Sequence, residues 1–151
     1  MRSLALLAAL FLVIAPNAHA GEFAAGKKVF NKCRGCHSIG PKVKKLPGPN
    51  LNGVVGRDWG TVEGYKYSKD KEGTMLAIHE AEARVWDVET LTAYLTKPKD
   101  VIPKGKMQFP GLKKELDIEN IIFYLASFDA DGAEADAEAV LAALAEAEAA
   151  E

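Results

Sequence analysis

Two cysteines and one histidine form the group of residues in this sequence with the clearest chemical potential. Cys33 and Cys36 are the only cysteines in the chain, and His37 directly follows the second one. This spacing is typical of c-type haem attachment, in which both thiols form thioethers with the porphyrin and the imidazole binds the iron. A single helical turn can carry both thiols along one porphyrin edge. The pattern therefore predicts one covalently attached haem c, with His37 as an axial iron ligand.

Two other kinds of site also begin with such a pair of cysteines. A C-x-x-C pair forms a redox-active dithiol in thioredoxin-like proteins, although that motif requires no histidine after it. A structural zinc site needs four ligands, and the chain contains no second pair of cysteines. The dithiol alternative corresponds to a haem-free, exported thiol oxidoreductase.

The second axial position has three candidates in the sequence. Met107 lies well downstream in a segment rich in proline and glycine, where a side chain can be delivered across a porphyrin. Met75 and His79 lie in a charged segment that we expect to be an exposed helix. Methionine also fills gaps in apolar cores, so spacing alone leaves this choice open. A thioether ligand raises the reduction potential of haem iron, whereas a second histidine lowers it.

The beginning of the chain has the composition of a secretory signal. Arg2 supplies a positive charge, residues 4–15 are an apolar run, and residues 18–20 are a small-residue cleavage pattern. The apolar run is too short to span a bilayer comfortably. We therefore predict a signal peptide over residues 1–20 and a periplasmic protein that begins near Gly21.

The remaining sequence predicts helices joined by irregular loops. No segment alternates apolar and polar residues over a sustained length, so we expect an all-α protein without a sheet. Proline and glycine predict loops over 38–52 and 99–111, and Pro98 should end the preceding helix. Gly26 is a poor helix former, and it indicates that another helix crosses closely there. The predicted helices span residues 23–36, 74–83, 88–96 and 112–128.

Charge divides the chain after residue 128. Residues 21–128 contain 18 Lys and Arg against 13 Asp and Glu, whereas residues 129–151 contain eight Asp and Glu and no basic residue. The acidic tail has helical propensity but few large apolar side chains, and an isolated helix of this length is marginal in water. We expect residues 129–151 to be a mobile, partly helical tail that lies outside the core of a single domain over residues 21–128.

Several motifs in a fixed order make the sequence resemble class I cytochromes c, and among these the bacterial cytochromes c2. The resemblance covers nearly all of residues 21–128 and implies helices wrapped around a covalent haem, with crossed terminal helices. It also implies that Met107 is the second axial ligand. The motifs are Cys33-Arg34-Gly35-Cys36-His37, Gly48-Pro49-Asn50-Leu51, Gly53-Val54-Val55-Gly56-Arg57, Gly64-Tyr65-Lys66-Tyr67, Trp86, Tyr94-Leu95 and Ile102-Pro103-Lys104-Gly105-Lys106-Met107.

The same resemblance implies roles for further residues around the haem. The Pro49 carbonyl would accept a hydrogen bond from the His37 ring, and Tyr94 would donate one to the Met107 sulfur. A buried haem propionate is an anion that requires donors or a counter-charge, and the resemblance implies three residues for it. These residues are Arg57, Tyr67 and Trp86. In addition, Phe109 would cover the haem edge, and the helix crossing would consist of Gly26, Phe30, Ile121 and Tyr124.

The resemblance implies a one-electron carrier rather than an enzyme. Its donor would be a cytochrome bc1-type complex, and its acceptor would be a photosynthetic reaction centre or a terminal oxidase. We expect these complexes to dock at a lysine-rich haem edge, and we expect a monomer with no nucleic-acid partner and no stable membrane insertion. The alternative is a haem protein with an open or exchangeable sixth site, acting as a ligand-binding or peroxidase-type protein. The lysine-rich haem edge consists of Lys27, Lys28, Lys32, Lys104, Lys106, Lys113 and Lys114.

Overall fold

A computed structural model describes residues 18–68 and 72–150 of the chain. Those residues contain helices and no strand, as the sequence predicted, with isolated bridges only between Asp58 and Val85 and between Phe128 and Glu134. Within this part of the chain, no helix is long and apolar enough to cross a membrane. The predicted signal peptide lies mostly outside it. The helices are α1 (Ala18–Phe30), α2 (Met75–Glu82), α3 (Val88–Thr96), α4 (Pro98–Val101), α5 (Glu115–Ala126) and α6 (Ala137–Ala149).

Helices α1 and α5 cross at Gly26, which confirms the predicted close approach. A Cβ atom at this position would overlap the Asn120 carbonyl oxygen and lie 2.5 Å from the Tyr124 Cβ. Any larger residue would therefore push the helices apart, because packed cores tolerate added methylenes poorly. The rings of Phe23 and Phe30 pack on Tyr124 with centroid distances of 5.1 and 5.4 Å. These contacts pack helices α1 and α5 against each other within the core.

The first helix ends earlier than predicted, so Cys33 and Cys36 lie in turns that follow it. Helix α1 ends at Phe30 rather than continuing to residue 36. The amide of Cys33 donates to the Phe30 carbonyl at 2.8 Å, and the Cys36 amide donates to the Cys33 carbonyl at 3.0 Å. These three-residue bonds wind the chain more tightly than an α-helix does. Residues 31–36 therefore form consecutive turns.

The middle helices agree closely with the predictions. Helix α3 spans the predicted residues, and the Asp87 side chain caps it by accepting from the Thr90 amide at 2.6 Å. The predicted helix over 74–83 is α2, which ends where Ala83 adopts a left-handed conformation with φ 49°. The expected irregular loop over 99–111 is partly wrong. Pro98 begins the short helix α4, because proline lacks only an amide that the first helical turn leaves unpaired anyway.

The last predicted helix is shorter than expected at both ends. Helix α5 begins at Glu115 instead of residue 112, since the Leu112 amide donates to the Leu95 carbonyl at 2.8 Å. This bond ties the segment before α5 to the end of α3. At the other end, the Ser127 hydroxyl donates to the Phe123 carbonyl at 2.9 Å, and the chain turns away.

The acidic tail packs on the domain, so the expectation that it lies outside the core is wrong. The Ala135 amide donates to the Ser127 carbonyl at 2.9 Å, which turns the chain back along α5. Asp136 then caps α6 by accepting from two amides of its first turn. Ala137 is only 4% exposed, and three larger side chains of α6 pack against the core. These are Val140, Leu141 and Leu144. The predicted mobility of the tail remains a prediction.

Candidate haem site

All ten residues predicted for the site line one cavity of about 410 Å³. This volume lies within the range of about 300–1,000 Å³ typical of ligand pockets. The walls come from the turns after α1, the loop over residues 47–57, helix α3, helix α5 and the loop over residues 105–109. The ten residues are Cys33, Cys36, His37, Pro49, Arg57, Tyr67, Trp86, Tyr94, Met107 and Phe109.

His37 is held in one orientation by the loop beneath it. Its Nδ1 atom donates a hydrogen bond to the Pro49 carbonyl at 2.7 Å. A carbonyl can only accept, so Nδ1 carries the proton and Nε2 keeps its lone pair for a metal. Burial lowers the pKa of His37, and the bond to Pro49 opposes this effect. A neutral imidazole with a fixed tautomer is the form that binds iron.

Gly48 allows this loop to approach the reactive motif. A Cβ atom at Gly48 would lie 2.5 Å from His37 Cε1 and 2.8 Å from the Cys36 carbonyl oxygen. The Gly48 amide itself donates to the Cys36 carbonyl at 2.8 Å. Because Gly48 has no side chain, its backbone can approach the Cys36 backbone closely beside the His37 ring.

The two thiols lie at one edge of the cavity in different environments. Cys36 is exposed, whereas Cys33 is partly buried. Burial raises the pKa of the Cys33 thiol to about 11, against a lowering by Lys32. A catalytic dithiol needs a lowered pKa to supply a thiolate, so this environment disfavours the thioredoxin-like alternative. Among the described residues, no group of three or more His, Cys, Asp and Glu could hold a metal ion.

Met107 and Tyr94 meet in the same cavity. The Tyr94 hydroxyl donates to the Met107 Sδ at 3.8 Å, which is the contact that the resemblance implied. Burial raises the pKa of Tyr94 to about 12, with a smaller contribution from Tyr65, so the hydroxyl keeps its proton at neutral pH. The Tyr94 ring is fixed by Trp86, whose centroid lies 4.9 Å away.

The rival axial candidates occupy different positions. His79 is not among the residues that line the cavity, and its Nδ1 atom lies 2.9 Å from the Arg84 carbonyl oxygen. Met75 also lines the cavity and packs against the core, so the expectation that it is exposed is wrong. Met75 and Met107 both line the cavity. Replacing each methionine in turn would therefore distinguish an axial ligand from a residue that only lines the wall.

Arg57 brings a positive charge to the same cavity. Its Nη1 donates to the Asn52 carbonyl at 2.7 Å and its Nη2 to the Asn50 carbonyl at 3.4 Å. Its Nε is buried and has no hydrogen-bond partner. Burial lowers the pKa of Arg57 and raises that of Tyr67, and each of the two residues opposes the shift of the other.

The cavity therefore fits a haem in two respects. Two thiols and a neutral imidazole line it, as covalent attachment and iron binding require. Arg57 also lines it, and its unpaired buried Nε requires an anionic or carbonyl partner. A haem propionate is such a partner.

The sequence prediction missed several residues that shape this cavity. Tyr65 lines it, donates to the Pro47 carbonyl at 3.1 Å, and meets the Tyr67 ring edge-on at a centroid distance of 4.6 Å. Trp59 is 1% exposed and stacks on Trp86 at 4.6 Å, so it supports that wall from behind. The spacing of α3 and α5 could have identified further apolar lining residues. These are Leu91, Leu95, Ile121 and Leu125.

Comparison with known proteins identifies the family. A model of the family described as cytochrome c matches residues 23–129. The chain belongs to the cytochrome c family. As in that family, it carries one covalently bound haem c.

Bacterial members of the family are among the similar relatives. Cytochrome c2 of Rhodoblastus acidophilus is 45% identical over 113 residues, which cover 75% of this chain and 98% of the relative. Cytochrome c-550 of Ancylobacter novellus is 43% identical over 109 residues, which cover 72% of this chain and 97% of the relative. The chain therefore resembles bacterial cytochromes c2, as its motifs indicated.

Solved structures confirm the all-α class I cytochrome c fold. Cytochrome c2 from Rhodospirillum centenum matches with a TM-score of 0.62 and 34% identity, covering 71% of this chain and 98% of that one. Cytochrome cH from Methylobacterium extorquens matches with a TM-score of 0.56 and 36% identity, covering 68% of this chain and 94% of that one. The family match ends at residue 129, so α6 lies outside it.

Proposed function

We propose that this protein is a one-electron carrier whose haem is closed on both faces by His37 and Met107. The observation that carries the proposal is that both side chains line one cavity and each has a hydrogen-bond partner behind it. Pro49 orients His37, and Tyr94 orients Met107. When bound, the haem supplies a ferric–ferrous couple, and the protein supplies binding, orientation and electrostatics.

The surrounding side chains suit electron transfer better than ligand chemistry. With His37 and Met107 as axial ligands, no iron position remains for oxygen or peroxide. Arg57 would compensate the charge of a propionate, and Trp86 and Tyr94 form an aromatic wall beside Met107. We expect a high reduction potential, because a thioether ligand and an apolar shell both favour ferrous iron.

Partners would meet the protein at the lysine-rich haem edge, where Cys36 is exposed. All seven lysines of this edge are exposed, and Lys32 and Lys106 also line the cavity. Lys32 pairs with Asp117 at 3.2 Å, so part of its charge is already compensated. A surface of one sign accelerates association with an oppositely charged partner. The proposed donor is a cytochrome bc1-type complex, and the proposed acceptor is a photosynthetic reaction centre or a terminal oxidase.

We place this exchange in the periplasm. The predicted signal peptide over residues 1–20 supports export, and removal near Gly21 would leave the start of the family match at residue 23 intact. The named bacterial relatives are cytochromes c2 and c-550, which is consistent with a carrier of this kind.

Two matched variants test the proposal. Met107→Leu and Met75→Leu each replace a cavity-lining methionine with a side chain of similar volume. We expect a redox-titrated absorption spectrum to lose the Met–iron band only in Met107→Leu, together with a fall in reduction potential. A Met–iron band that survives in Met107→Leu but not in Met75→Leu would contradict the proposed ligand set.

A further inference from the structure

The beginning of the acidic tail contacts the loop that carries Arg57. The Gly53 amide donates to the Phe128 carbonyl at 3.1 Å, immediately before the tail. Gly132 is buried with φ +80°, and a Cβ atom there would lie 2.5 Å from the Asn52 Nδ2. Because residue 132 fits so closely only as glycine, the turn between α5 and α6 is shaped to this loop.

Helix α6, in the later part of the tail, contacts the same loop a second time. Leu144 of α6 lies over Gly56, where a Cβ atom would be 3.1 Å from the Leu144 Cδ2. Gly56 has φ +79°, and its amide donates to the Trp86 carbonyl at 2.9 Å. Gly56 itself remains exposed, so the contact braces the backbone directly before Arg57 rather than burying it.

The segment that the tail contacts, residues 52–56, also positions the Arg57 guanidinium. Arg57 donates to the Asn52 carbonyl at 2.7 Å. Asn52 is 3% exposed, and its side chain exchanges hydrogen bonds with the Gly40 backbone at 2.8 and 3.2 Å. The tail thus contacts two places in the segment directly before Arg57, while the Asn52 carbonyl holds the guanidinium.

We propose that the C-terminal segment is a clamp on the propionate-binding loop, with Leu144 as a positioning residue that acts through Arg57. The segment lies beyond the part of the chain that the family model matches, so this clamp is an addition to the shared cytochrome c domain. The inference rests on the proposed function, because it needs Arg57 to face a haem propionate.

The physical consequence is a shift in reduction potential. A guanidinium held beside a buried propionate cancels negative charge near the iron and so favours the ferrous state. If Leu144 no longer packs on Gly56, the backbone before Arg57 is less constrained. The guanidinium is then held less firmly beside the propionate and compensates less of its charge. The ferric state then becomes relatively more stable, and the potential falls.

The first test compares Leu144→Ala with Val140→Ala in the full-length holoprotein. Val140 lies one turn earlier on α6 and also packs against the core, but the side-chain atoms nearest to Gly56 all belong to Leu144. We expect the equilibrium constant for reduction to fall about threefold in Leu144→Ala, which is about 28 mV for one electron. Val140→Ala should lower the unfolding midpoint while leaving the potential unchanged.

Two outcomes of this comparison would overturn the proposal. If Leu144→Ala lowers the unfolding midpoint but not the potential, the tail only stabilises the fold. If both variants lower the potential equally, Leu144 has no specific positioning role.

A double-mutant cycle tests whether the effect passes through Arg57. Arg57→Gln removes the positive charge, and contacting residues show coupling in such cycles. We expect Leu144→Ala to leave the potential unchanged in the Arg57→Gln background. An undiminished shift there would refute the route through Arg57. An unchanged potential in Arg57→Gln alone would refute the propionate role itself, which separates failure of the site from failure of the clamp.

Discussion

Gly48→Ala should disturb the proposed axial histidine more than any other single methyl group placed in this motif region. The added Cβ would lie 2.5 Å from His37 Cε1 and 2.8 Å from its Nδ1. Ordinary carbon contacts are about 3.5–4.0 Å, so the ring must move by roughly 1 Å. Because the hydrogen bond to Pro49 is 2.7 Å long, this displacement would break it or distort it severely.

The expected cost combines overpacking with the loss of one hydrogen bond. Overpacking of a well-packed site costs about 1–3 kcal/mol, and a typical hydrogen bond contributes about 0.5–1.5 kcal/mol. We therefore expect the free energy of unfolding to fall by about 2–4 kcal/mol in Gly48→Ala. Denaturant unfolding followed by haem absorbance measures this change. Redox titration should show a raised potential, because His37 without the Pro49 carbonyl is a less basic ligand and stabilises ferric iron less.

Gly35→Ala is the matched control in the same region. No atom lies within 4 Å of a Cβ built on Gly35, and neither glycine has a positive φ. The control should therefore stay within about 0.5 kcal/mol of the parent protein, as surface substitutions usually do. If Gly48→Ala were as mild as Gly35→Ala, the loop would not position His37 as described.

Three further perturbations have definite expected outcomes. Tyr94→Phe removes the donor to Met107, so the reduction potential should fall by roughly 20 mV, which corresponds to about 0.5 kcal/mol for a weak hydrogen bond; redox titration checks this, and an unchanged value would contradict the contact. At low salt, Lys106→Gln should slow electron transfer to a membrane-bound partner complex more than Lys97→Gln does, because Lys106 lines the cavity and Lys97 does not. Stopped-flow measurements should show that this difference vanishes at high ionic strength. Gly26→Ala should lower the free energy of unfolding by at least about 1–3 kcal/mol in denaturant titrations, because its Cβ would overlap helix α5, and a neutral effect would refute the close crossing.

The sequence predicted the cavity wall well where short motifs carry the geometry. Cys33, Cys36 and His37 lie together because three to five residues of chain cannot separate them far. Helix α3 and its cap at Asp87 are local features, and the structure confirms both. The contact between Tyr94 and Met107 came instead from the family resemblance, since no local rule brings residues 94 and 107 together.

The parts that the sequence did not predict depend on tertiary contacts. Helix α1 stops at Phe30 because the following residues form tight turns against the loop near Gly48, although their helical pattern continues. Composition suggested a mobile, partly helical tail outside the core, since most of its residues are alanine or acidic. In the structure, Leu144 of the tail packs on Gly56, which has no side chain. A hydrophobic pattern cannot predict this kind of shape complementarity.

The central claim is that His37 and Met107 close the haem iron on both faces, and carbon monoxide binding tests it most directly. The measurement is the absorption spectrum of the ferrous, full-length protein before and after carbon monoxide is added at neutral pH. We expect no change in the parent protein and a carbon monoxide complex in Met107→Leu. Rapid, tight binding by the parent protein would contradict the account and favour a haem protein with an exchangeable sixth site.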